Sequence, residues 1–421
     1  MNNEIYCDWA STALFDTEIL EKAFKTSIEF AGNPSSVHQK GIDAKNILQN
    51  ARKRSAKVLG VKEENIIFTS GGTESNHLPI LSLLNRPNKG SILFSSLEHP
   101  AIREQAEIMK KCGFQVYKIP SDENGIITPE NVVNSLKDDT VLVCVMAVNN
   151  ETGSVMPIYE ISDAITTACA GKRRPKFHVD AVQAAGKIPL DLSYKGIDFC
   201  SISAHKIGGP RGIGILYTKD KFEPFLRGGG QENGLRSGTE NLFGSEAISL
   251  CLEKYFIKKG DTETDSYKRY LEQIEYTAEF ISKLKEKPSC IFIPENRQAK
   301  DDRFSPWVLQ VAFKNLPGEV LVRELSSRGI YISTGSACSA KKLTRPILEA
   351  MKVSKDVATW GVRFSFGHTT TKEEMEKVLD ELDDILKKFG WDGENWKSER
   401  VFVEALKKTL AQPQRAMQVN C

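Results

Sequence analysis

Two short segments, Phe177-His178-Val179-Asp180-Ala181-Val182-Gln183 and Ser201-Ile202-Ser203-Ala204-His205-Lys206, indicate both the fold and the chemistry of this chain. Each begins as an apolar, β-branched run typical of a buried strand, and polar residues follow where the strand ends. Asp180 ends the first run, and Lys206 lies just past the second, 26 residues later, which leaves room for a crossover between the strands. Because ligands of parallel sheets bind at the carboxyl ends of the strands, we expect Asp180 and Lys206 to share a site.

The same alternation of short apolar runs with helix-like stretches extends through the first half of the chain. Helical periodicity fills several of the intervals, as in Ala101–Lys111 and Ile158–Ala170. This pattern predicts an α/β fold with a mainly parallel, seven-stranded sheet that helices cover on both faces. The predicted strands are Ile66–Thr69, Ile92–Ser95, Val116–Ile119, Val141–Val148, Lys176–Val179, Phe199–Ser203 and Gly214–Tyr217.

The length of 421 residues is too great for one ordinary core and predicts two domains. A charged stretch with a glycine, Lys258–Glu263, marks a change of pattern. We predict a large domain at residues 14–258, a smaller α+β domain formed by residues 1–13 and 259–389, and a partly helical extension at residues 390–421. Beyond the charged stretch the predicted elements are Tyr267–Lys285, Val308–Phe313, Glu319–Ser327, Ile330–Ser333, Val362–Phe366 and Lys372–Lys388.

Composition excludes several classes of protein. The 57 Lys and Arg balance 55 Asp and Glu, so there is no basic footprint for nucleic acid. A hydrophobic content of 40% and a mean hydropathy of −0.33 are typical of a soluble protein, and the longest apolar run, Val141–Val148, is too short to span a bilayer. The first residues lack a signal-peptide pattern, so we expect a cytoplasmic location. Nine scattered cysteines predict neither a disulfide framework nor a zinc site, and we expect Cys144 to be a buried thiol.

The pair of Asp180 and Lys206 suits pyridoxal 5'-phosphate (PLP). This cofactor needs a carboxylate that keeps its pyridine nitrogen protonated and a lysine amine that forms a Schiff base with its aldehyde. Taken singly, Asp180 is as well explained by helix capping and Lys206 by a solvated loop. Together with Ser203, His205 and the glycines that follow Lys206, the pair favours the cofactor site.

Two further segments suit the phosphate of such a cofactor. In Thr69-Ser70-Gly71-Gly72-Thr73-Glu74-Ser75-Asn76 a strand ends, two glycines turn the chain and a helix begins, so free N–H groups and the Thr73 hydroxyl suit an anion. An ordinary capped turn explains this segment equally well. Ser203 and His205 alternate with their neighbours, which predicts that both side chains point the same way and donate to one phosphate.

Four more residues are candidates for substrate chemistry, each with a plainer alternative. His99 follows a strand and could stack on a flat ring and move protons, although a lone histidine is more often structural. Asn150 could bind a ring hydroxyl or a carboxylate, or simply form a turn. Cys338 lies among small residues before two lysines, a setting that favours the thiolate, unless the cysteine is incidental. Arg363 could bind a substrate carboxylate or form an internal salt bridge.

Taken together, these motifs resemble the cysteine desulfurases of the NifS/IscS type, which belong to the class V aminotransferases among the fold-type I PLP enzymes. The resemblance extends from about Ile5 to Lys388 and is specific as a set. The matching stretches are Gly32–Ser36, Ser70–Asn76, Glu98-His99, Val148–Glu151, His178–Gln183, Ser203–Lys206, Arg236–Thr239, Gly335–Cys338 and Arg363–Ser365.

The resemblance implies a role for each candidate residue toward the cofactor. Lys206 would hold PLP as a Schiff base, Asp180 would pair with the pyridine nitrogen, and His99 would stack on the ring and assist proton transfer. Gln183 would contact the ring hydroxyl. The residues implied to bind the phosphate are Gly72, Thr73, Ser203 and His205, with Thr239 reaching the phosphate of the neighbouring subunit in a homodimer.

The resemblance also implies the reaction. L-cysteine would be bound through Asn150 and Arg363, and Lys206 would remove its Cα proton. The Cys338 thiolate would attack the substrate sulfur, giving L-alanine and a persulfide that passes to an iron–sulfur scaffold or another sulfur acceptor. No metal site of its own is implied, although Cys338 could transiently contact a cluster on a scaffold partner.

Two departures and three rival functions remain. Trp9 stands where the family has Asn in its N-terminal motif, so details of the entrance or substrate orientation are open, and residues 390–421 extend beyond the resemblance. A selenocysteine lyase or another PLP-dependent lyase or aminotransferase would use the same scaffold. A non-catalytic sulfur-relay scaffold is disfavoured because Lys206, Asp180, His99, Arg363 and Cys338 are all present. The sequence does not identify the sulfur acceptor.

Overall fold

The computed structural model describes residues 4–335 and 345–389, which form two compact units. The first unit contains residues 10–271 and 302–305, and the second contains residues 4–9, 272–301 and the described part of 306–389. Residues 10–13 join the first unit because the Ala13 N–H donates to the His205 carbonyl oxygen (2.7 Å). The Lys259 N–H likewise donates to the Leu190 carbonyl oxygen, and the Ser266 hydroxyl donates to the Lys254 carbonyl oxygen. The boundary therefore lies inside a helix rather than at residue 259, where the sequence predicts it.

The secondary structure of the described residues follows the predicted pattern. In chain order the strands are β1 (Ile5–Tyr6), β2 (Ile66–Thr69), β3 (Ser91–Ser95), β4 (Gln115–Ile119), β5 (Thr140–Met146), β6 (Lys176–Asp180), β7 (Phe199–Ser203), β8 (Gly214–Thr218), β9 (Cys290–Phe292), β10 (Val308–Phe313), β11 (Ile330–Tyr331) and β12 (Gly361–Ser365). The helices are α1 (Thr17–Glu29), α2 (Gln39–Leu59), α3 (Gly72–Ser82), α4 (Pro100–Lys111), α5 (Pro129–Ser135), α6 (Ile158–Ala168), α7 (Leu242–Tyr255), α8 (Asp265–Lys285), α9 (Gly318–Ser327), α10 (Pro346–Ala350), α11 (Lys355–Trp360) and α12 (Lys372–Lys388).

The first unit is built on a seven-stranded sheet with the strand order β2-β8-β7-β6-β5-β3-β4. Strand β8 is antiparallel to both of its neighbours, and the other pairs are parallel. Strands β3, β7 and β8 are buried along their whole length, which requires cover on both faces of the sheet. The predicted α/β fold with a mainly parallel sheet is confirmed.

Local sequence fixes where the helices next to the carboxyl edge of this sheet begin. Helix α3 starts immediately after β2, at a turn in which Gly71 has a φ of 146°, a conformation that side chains rarely allow. Helix α4 starts at Pro100, and the preceding His99 caps it by accepting a hydrogen bond from the Ala101 N–H. Both helix starts therefore lie directly beside strand ends.

The second unit combines a three-stranded antiparallel sheet, ordered β12-β10-β9, with the parallel pair β1 and β11. Strand β10 is buried throughout, and its pairing places Gln310 opposite Arg363 of β12. Helix α12 begins with a capping box formed by Thr371 and Glu374, and its buried face includes Leu382. The strands and helices of this unit agree with the predicted α+β pattern.

The surface of the first unit exposes large apolar side chains. Eight of the eleven among the described residues lie in residues 14–42 and 225–226, and these are Leu14, Phe15, Phe24, Ile28, Val37, Ile42, Phe225 and Leu226; the other three are Ile108, Tyr117 and Leu271. Val37 is 94% exposed, which leaves nearly all of its side chain in contact with water. Across the described ranges, no helix has both the length and the apolar content needed to cross a membrane.

Candidate active site

Asp180 and Lys206 lie at one edge of the seven-stranded sheet. Strands β6 and β7 are parallel neighbours, so their carboxyl ends point the same way. Strand β6 ends at Asp180, and β7 ends at Ser203, followed by a single 3-10 turn, Ala204–Lys206. The crossover between the two strands thus brings these residues to the same edge, where ligands of such sheets bind.

Asp180 is a buried carboxyl with hydrogen-bond donors and no ion-pair partner among the described residues. Only 5% of it is exposed, and its two oxygens accept from the Val182 N–H (2.9 Å) and the Asn76 side-chain amide (2.7 Å). Burial raises the pKa of Asp180, while these two donors and the nearby Lys206 act in the opposite direction. A buried carboxylate in this setting suits a cationic partner such as a protonated pyridine nitrogen.

The Lys206 amine is held by main-chain oxygens and dominates the charge of the site. Its Nζ donates to the carbonyl oxygens of Ala10 (2.6 Å) and Ser11 (2.7 Å). Burial, followed by the charge of Lys206, lowers the pKa of His99 to about 4 and that of His205 to about 3. Both imidazoles are therefore neutral at neutral pH, and the positive charge of this edge suits an anion.

Gly72 and Ser203 converge at the amino end of α3. A Cβ atom on Gly72 would lie 2.8 Å from Cγ2 of Val182 and 3.5 Å from Cβ of Ser203, so only glycine fits at this position. The N-cap residue of α3 is Gly71, which has no side chain to accept from the first N–H groups of the helix. Thr73 is exposed at the same turn. Uncapped N–H groups at a helix start beside a serine are a typical phosphate-binding arrangement.

His205 does not follow the strand alternation predicted for it. Strand β7 ends at Ser203, and His205 lies in the 3-10 turn, so strand alternation does not relate the direction of the His205 side chain to that of Ser203. The Nδ1 atom of His205 instead contacts the Thr12 hydroxyl (3.2 Å). The chain turns here because the backbone of residues 204–209 is hydrogen-bonded around the carbonyl oxygen of Ala204.

Gln183 and Asn150 lie at the same edge in different settings. Gln183 donates to the Ala10 carbonyl oxygen (2.8 Å) and accepts from the Lys187 amine (2.6 Å). Asn150 is half-buried in the turn after β5. Its neighbour Asn149 organises that turn by accepting from the N–H groups of residues 151 and 152.

His99 has one tautomer fixed by the helix that it caps. Its Nδ1 accepts from the Ala101 N–H (3.1 Å), so the proton of the neutral ring is on Nε2. The preceding residue, Glu98, is buried and accepts from the Ser95 hydroxyl (2.7 Å) and the Met146 N–H (2.6 Å). Burial, followed by the charge of Asp180, raises the pKa of Glu98 to about 8.

Three residues to which the sequence assigned no role contribute to this site. They are Asn76, His178 and Glu98. His178 and Asp180 are two residues apart on β6, a spacing that puts both side chains on one face of the strand and could have drawn attention to His178. Asn76 and Glu98 lie in the matching stretches Ser70–Asn76 and Glu98-His99, but nothing in the sequence assigns a role to either residue.

Arg363 lies in the second unit, where it forms the internal salt bridge that the sequence left as an alternative. Its Nη2 donates to Asp8 (2.7 Å) and its Nη1 donates to the Gly335 carbonyl oxygen (2.7 Å). Trp9 is 4% exposed in the same unit, and a Cβ atom on Gly367 would lie 1.9 Å from its ring. Trp9 therefore occupies space that the glycine leaves open.

The structure gives little or no information on two of the candidate residues, Thr239 and Cys338. Thr239 is exposed, and the loop before it is tied to α3 by the two hydrogen bonds of Arg236 to Glu74. Cys338 and the extension 390–421 lie outside the described residues.

The described cysteines are free thiols, and several of them are held in the protonated form. Burial raises the pKa of Cys7, Cys144 and Cys200, and raises those of Cys251 and Cys290 to about 12. Cys144 is buried, as predicted. In the part of the chain that the structure describes, no cluster of His, Cys, Asp and Glu could hold a metal ion.

Comparison with known proteins agrees with this geometry. The family model described as Aminotransferase class-V matches residues 5–378. This chain belongs to the class V aminotransferase family. Within that family it belongs with the cysteine desulfurases of the NifS/IscS type, as its relatives show.

The cysteine desulfurase IscS of Dictyoglomus turgidum is 35% identical over 393 residues, which cover 92% of this chain and 96% of that protein. The cysteine desulfurase NifS of Azotobacter vinelandii is 34% identical over 392 residues, covering 91% of this chain and 92% of that protein. Among solved structures, a NifS-like protein has a TM-score of 0.81 at 32% identity and covers 91% of this chain and 99% of its own. A NifS-like protein from Rickettsia africae has a TM-score of 0.78 at 26% identity and covers 91% of this chain and 100% of its own.

The residues of the first unit fit PLP, the cofactor that this class V aminotransferase family implies. Asp180 offers a buried carboxyl for the pyridine nitrogen, and Lys206 offers an amine at the same sheet edge. Gly72 and Ser203 form a turn that a side chain would fill. A carboxylate, a lysine amine and an anion site are the three features that PLP requires of a protein.

Proposed function

We propose that this class V aminotransferase is a cysteine desulfurase that uses PLP to convert L-cysteine to L-alanine and a persulfide on Cys338. The observation that carries the proposal is the buried Asp180 carboxyl, which lies at the same sheet edge as Lys206. Within the described ranges Asp180 has hydrogen-bond donors but no ion-pair partner. PLP, when bound, supplies an electron sink for the charge left at the substrate Cα when its proton is removed. The relatives named as cysteine desulfurases support the choice of substrate.

The proposed cofactor contacts come from residues of the first unit. Lys206 would hold the aldehyde carbon, Asp180 would pair with the pyridine nitrogen, and His99 would lie against the ring. Gln183 and Asn150 would contact polar groups of the ring. The proposed phosphate ligands are Gly72, Thr73, Ser203 and His205, and their support is the uncapped start of α3 next to Ser203.

Proton transfer is proposed to depend on Lys206 and His99. When it is not bonded to the cofactor, the Lys206 amine donates to the carbonyl oxygens of Ala10 and Ser11. From there it would take the proton from Cα of the bound cysteine. His99 is neutral and carries its proton on Nε2, so it can donate a hydrogen bond from that atom throughout the neutral pH range.

Sulfur transfer is proposed to occur on Cys338, with Arg363 and Asn150 binding the carboxylate of the substrate. The Cys338 thiolate attacks the substrate sulfur, and the S–S bond forms as the carbon–sulfur bond breaks. The electron pair of that bond stays with the three-carbon fragment, which gains one proton at Cβ, takes back the Cα proton from Lys206 and leaves as L-alanine. Lys341 and Lys342 follow Cys338 in the sequence, and their positive charge favours the thiolate.

We propose that the enzyme is a homodimer in which Thr239 reaches the cofactor phosphate of the partner subunit. Two observations support this arrangement. Thr239 is exposed, and the first unit exposes large apolar side chains such as Phe24, Ile28 and Val37, which a second copy could cover. A Thr239→Ala variant is expected to retain PLP less tightly by about 10- to 100-fold, the value of one hydrogen bond to a charged group.

The persulfide is proposed to pass to an iron–sulfur scaffold or to an acceptor for thiolation, in the cytoplasm. Support comes from the relatives named IscS and NifS. The balanced charge of the chain, 57 basic and 55 acidic residues, gives no reason to expect direct binding of nucleic acid.

Product analysis of three variants tests the proposed reaction. The wild type should release alanine and, with a reductant present, sulfide. Lys206→Ala should release neither, because the group that removes the Cα proton is lost. Cys338→Ser should bind PLP and cysteine, seen as an absorbance change on adding cysteine, but give no sulfide. Cys112→Ser, at an exposed cysteine, is the matched control and should behave as wild type.

Other outcomes would point to other members of the same fold. Full sulfide production by Cys338→Ser would exclude Cys338 as the sulfur acceptor. Pyruvate or another keto acid as the main product would indicate an aminotransferase. Turnover of selenocysteine that does not depend on Cys338, with no turnover of cysteine, would indicate a selenocysteine lyase.

A further inference from the structure

A chain of hydrogen bonds runs from His178 through Asn76 to Asp180. The Nε2 atom of His178 lies 2.8 Å from Oδ1 of Asn76, and Nδ2 of Asn76 lies 2.7 Å from Oδ2 of Asp180. His178 and Asp180 are on the same face of β6, and Asn76 reaches both from α3. All three are buried, with exposed fractions of 0%, 1% and 5%. Water therefore does not compete for these hydrogen bonds.

The direction of the chain follows from the chemistry of the amide. Asn76 can place its NH2 group toward Asp180 or toward His178. Asp180 as a carboxylate can only accept, so a hydrogen bond between the two residues requires the NH2 group on the Asp180 side. The Asn76 oxygen then faces His178 and requires a proton on Nε2 of that ring.

The surroundings of His178 favour that tautomer. Its Nδ1 atom is buried and has no hydrogen-bond partner within the described ranges. A proton on Nδ1 would be a buried donor with no acceptor, and it would also leave Nε2 without the hydrogen that Asn76 needs. Burial lowers the pKa of His178 to about 3, so the ring is neutral and carries its one proton on Nε2.

We propose that Asn76 and His178 are positioning residues that keep Asp180 ionised and oriented toward the pyridine nitrogen of PLP. His178 fixes the orientation of the Asn76 amide, and Asn76 donates to one carboxylate oxygen while the Val182 N–H donates to the other. If the amide were reversed, its oxygen would face the carboxylate and disfavour the charge. This inference rests on the proposed function, because it concerns how Asp180 acts on the cofactor.

The first experiment measures the protonation of the ring nitrogen directly. PLP labelled with 15N in the pyridine ring is bound to the full-length protein, and its 15N NMR shift is followed with pH. In wild type we expect the protonated form to persist above pH 8. In Asn76→Ala we expect the pKa of that nitrogen to fall by about 1 to 2 pH units, because a hydrogen bond to the charged carboxylate is lost.

Variants of His178 separate positioning from simple packing. His178→Phe removes the donor to Asn76 and should lower the ring-nitrogen pKa in the same direction. His178→Gln keeps a side-chain N–H donor and should stay close to wild type. Ser201→Ala is the matched control: Ser201 pairs with Asp180 in the sheet, and its buried hydroxyl has no partner in the described part of the chain. It should leave the pKa unchanged.

A second experiment needs no disruptive variant. In wild-type protein labelled with 15N-histidine, we expect the His178 resonance to show a protonated Nε2 and an unprotonated Nδ1, with its assignment made from His178→Gln. A proton on Nδ1 would overturn the proposal, as would a folded Asn76→Ala whose ring nitrogen titrates as in wild type. Failure of the wild type itself to bind PLP would instead refute the proposed function.

Discussion

Replacing Glu98 by Gln is expected to remove a large pH dependence from the stability of the protein. Glu98 is 1% exposed, and its pKa is raised from the ordinary 4.5 to about 8 by burial first and by the charge of Asp180 second. Hydrogen bonds from Ser95 and Met146 to one of its oxygens only partly oppose this. The carboxyl is therefore a neutral acid at neutral pH, and it adds no negative charge beside Asp180.

The sign of the effect follows from proton binding in the two states. Below pH 4.5 the carboxyl is protonated both in the folded and in the unfolded chain. Between pH 4.5 and about 8 the folded protein keeps the proton and the unfolded chain releases it, so the free energy of unfolding falls as the pH rises. Above about pH 8 both states are ionised, and no further change occurs.

The size of the effect follows from the two pKa values. At 1.36 kcal/mol per pH unit, the whole window corresponds to about 5 kcal/mol, of which about 3 kcal/mol is lost by pH 7. Gln is neutral in both states and keeps an acceptor oxygen for Ser95 and Met146. We therefore expect Glu98→Gln to match wild type near pH 4.5 and to be more stable by roughly 3 kcal/mol at pH 7.

Urea unfolding of the PLP-loaded protein, at several pH values between 5 and 8.5, measures this difference. Glu104→Gln is the control, because the Glu104 side chain is 70% exposed on the neighbouring helix α4 and its replacement should leave the pH dependence of wild type. A stability difference between Glu98→Gln and wild type that stays constant across this range would refute the reasoning.

Two further substitutions test the packing of each unit. Gly367→Ala should destabilise the second unit by about 1–3 kcal/mol or more in urea unfolding, because the new Cβ would overlap the ring of Trp9. In the double variant, Trp9→Asn should restore much of that loss. Arg52→Met should destabilise the first unit by about 3–5 kcal/mol in the same assay, because it leaves the buried carboxylate of Glu232 without its bidentate partner.

Each of these substitutions has a clear contrary result. A Gly367→Ala protein as stable as wild type, or one that Trp9→Asn does not improve, would show that the two residues do not share this space. For the ion pair, the control is Arg227→Met at an exposed pair with Glu223, where a change of less than about 1 kcal/mol is expected. An equally small effect of Arg52→Met would contradict the argument from burial.

The sheet and its functional edge were predictable because their signals are local. Each strand is an apolar run that ends at a turn, and parallel strands must place their ends together. Asp180 and Lys206 therefore reach one edge for reasons visible in the sequence. Strand alternation does not extend to His205, because the strand ends at Ser203 as predicted and His205 lies in the 3-10 turn beyond it.

The residues missed from the sequence act through contacts between distant segments. Asn76 and Asp180 are 104 residues apart, and Glu98 accepts from Met146, 48 residues later. No local pattern contains such a pair. The same applies to Arg363 and Asp8, which are 355 residues apart, so the sequence could offer a salt bridge only as an alternative without naming the partner. The close approach of Gly367 to the Trp9 ring likewise exists only in the folded chain.

The central claim is that sulfur from L-cysteine is transferred to Cys338. Intact-protein mass spectrometry after brief incubation with L-cysteine in the absence of reductant, followed by peptide mapping, tests it most directly. The account predicts the gain of one sulfur atom on the peptide that contains Cys338 and release of an equal amount of alanine. A protein shown to contain PLP that gains no sulfur, or gains it on another cysteine, would contradict the account.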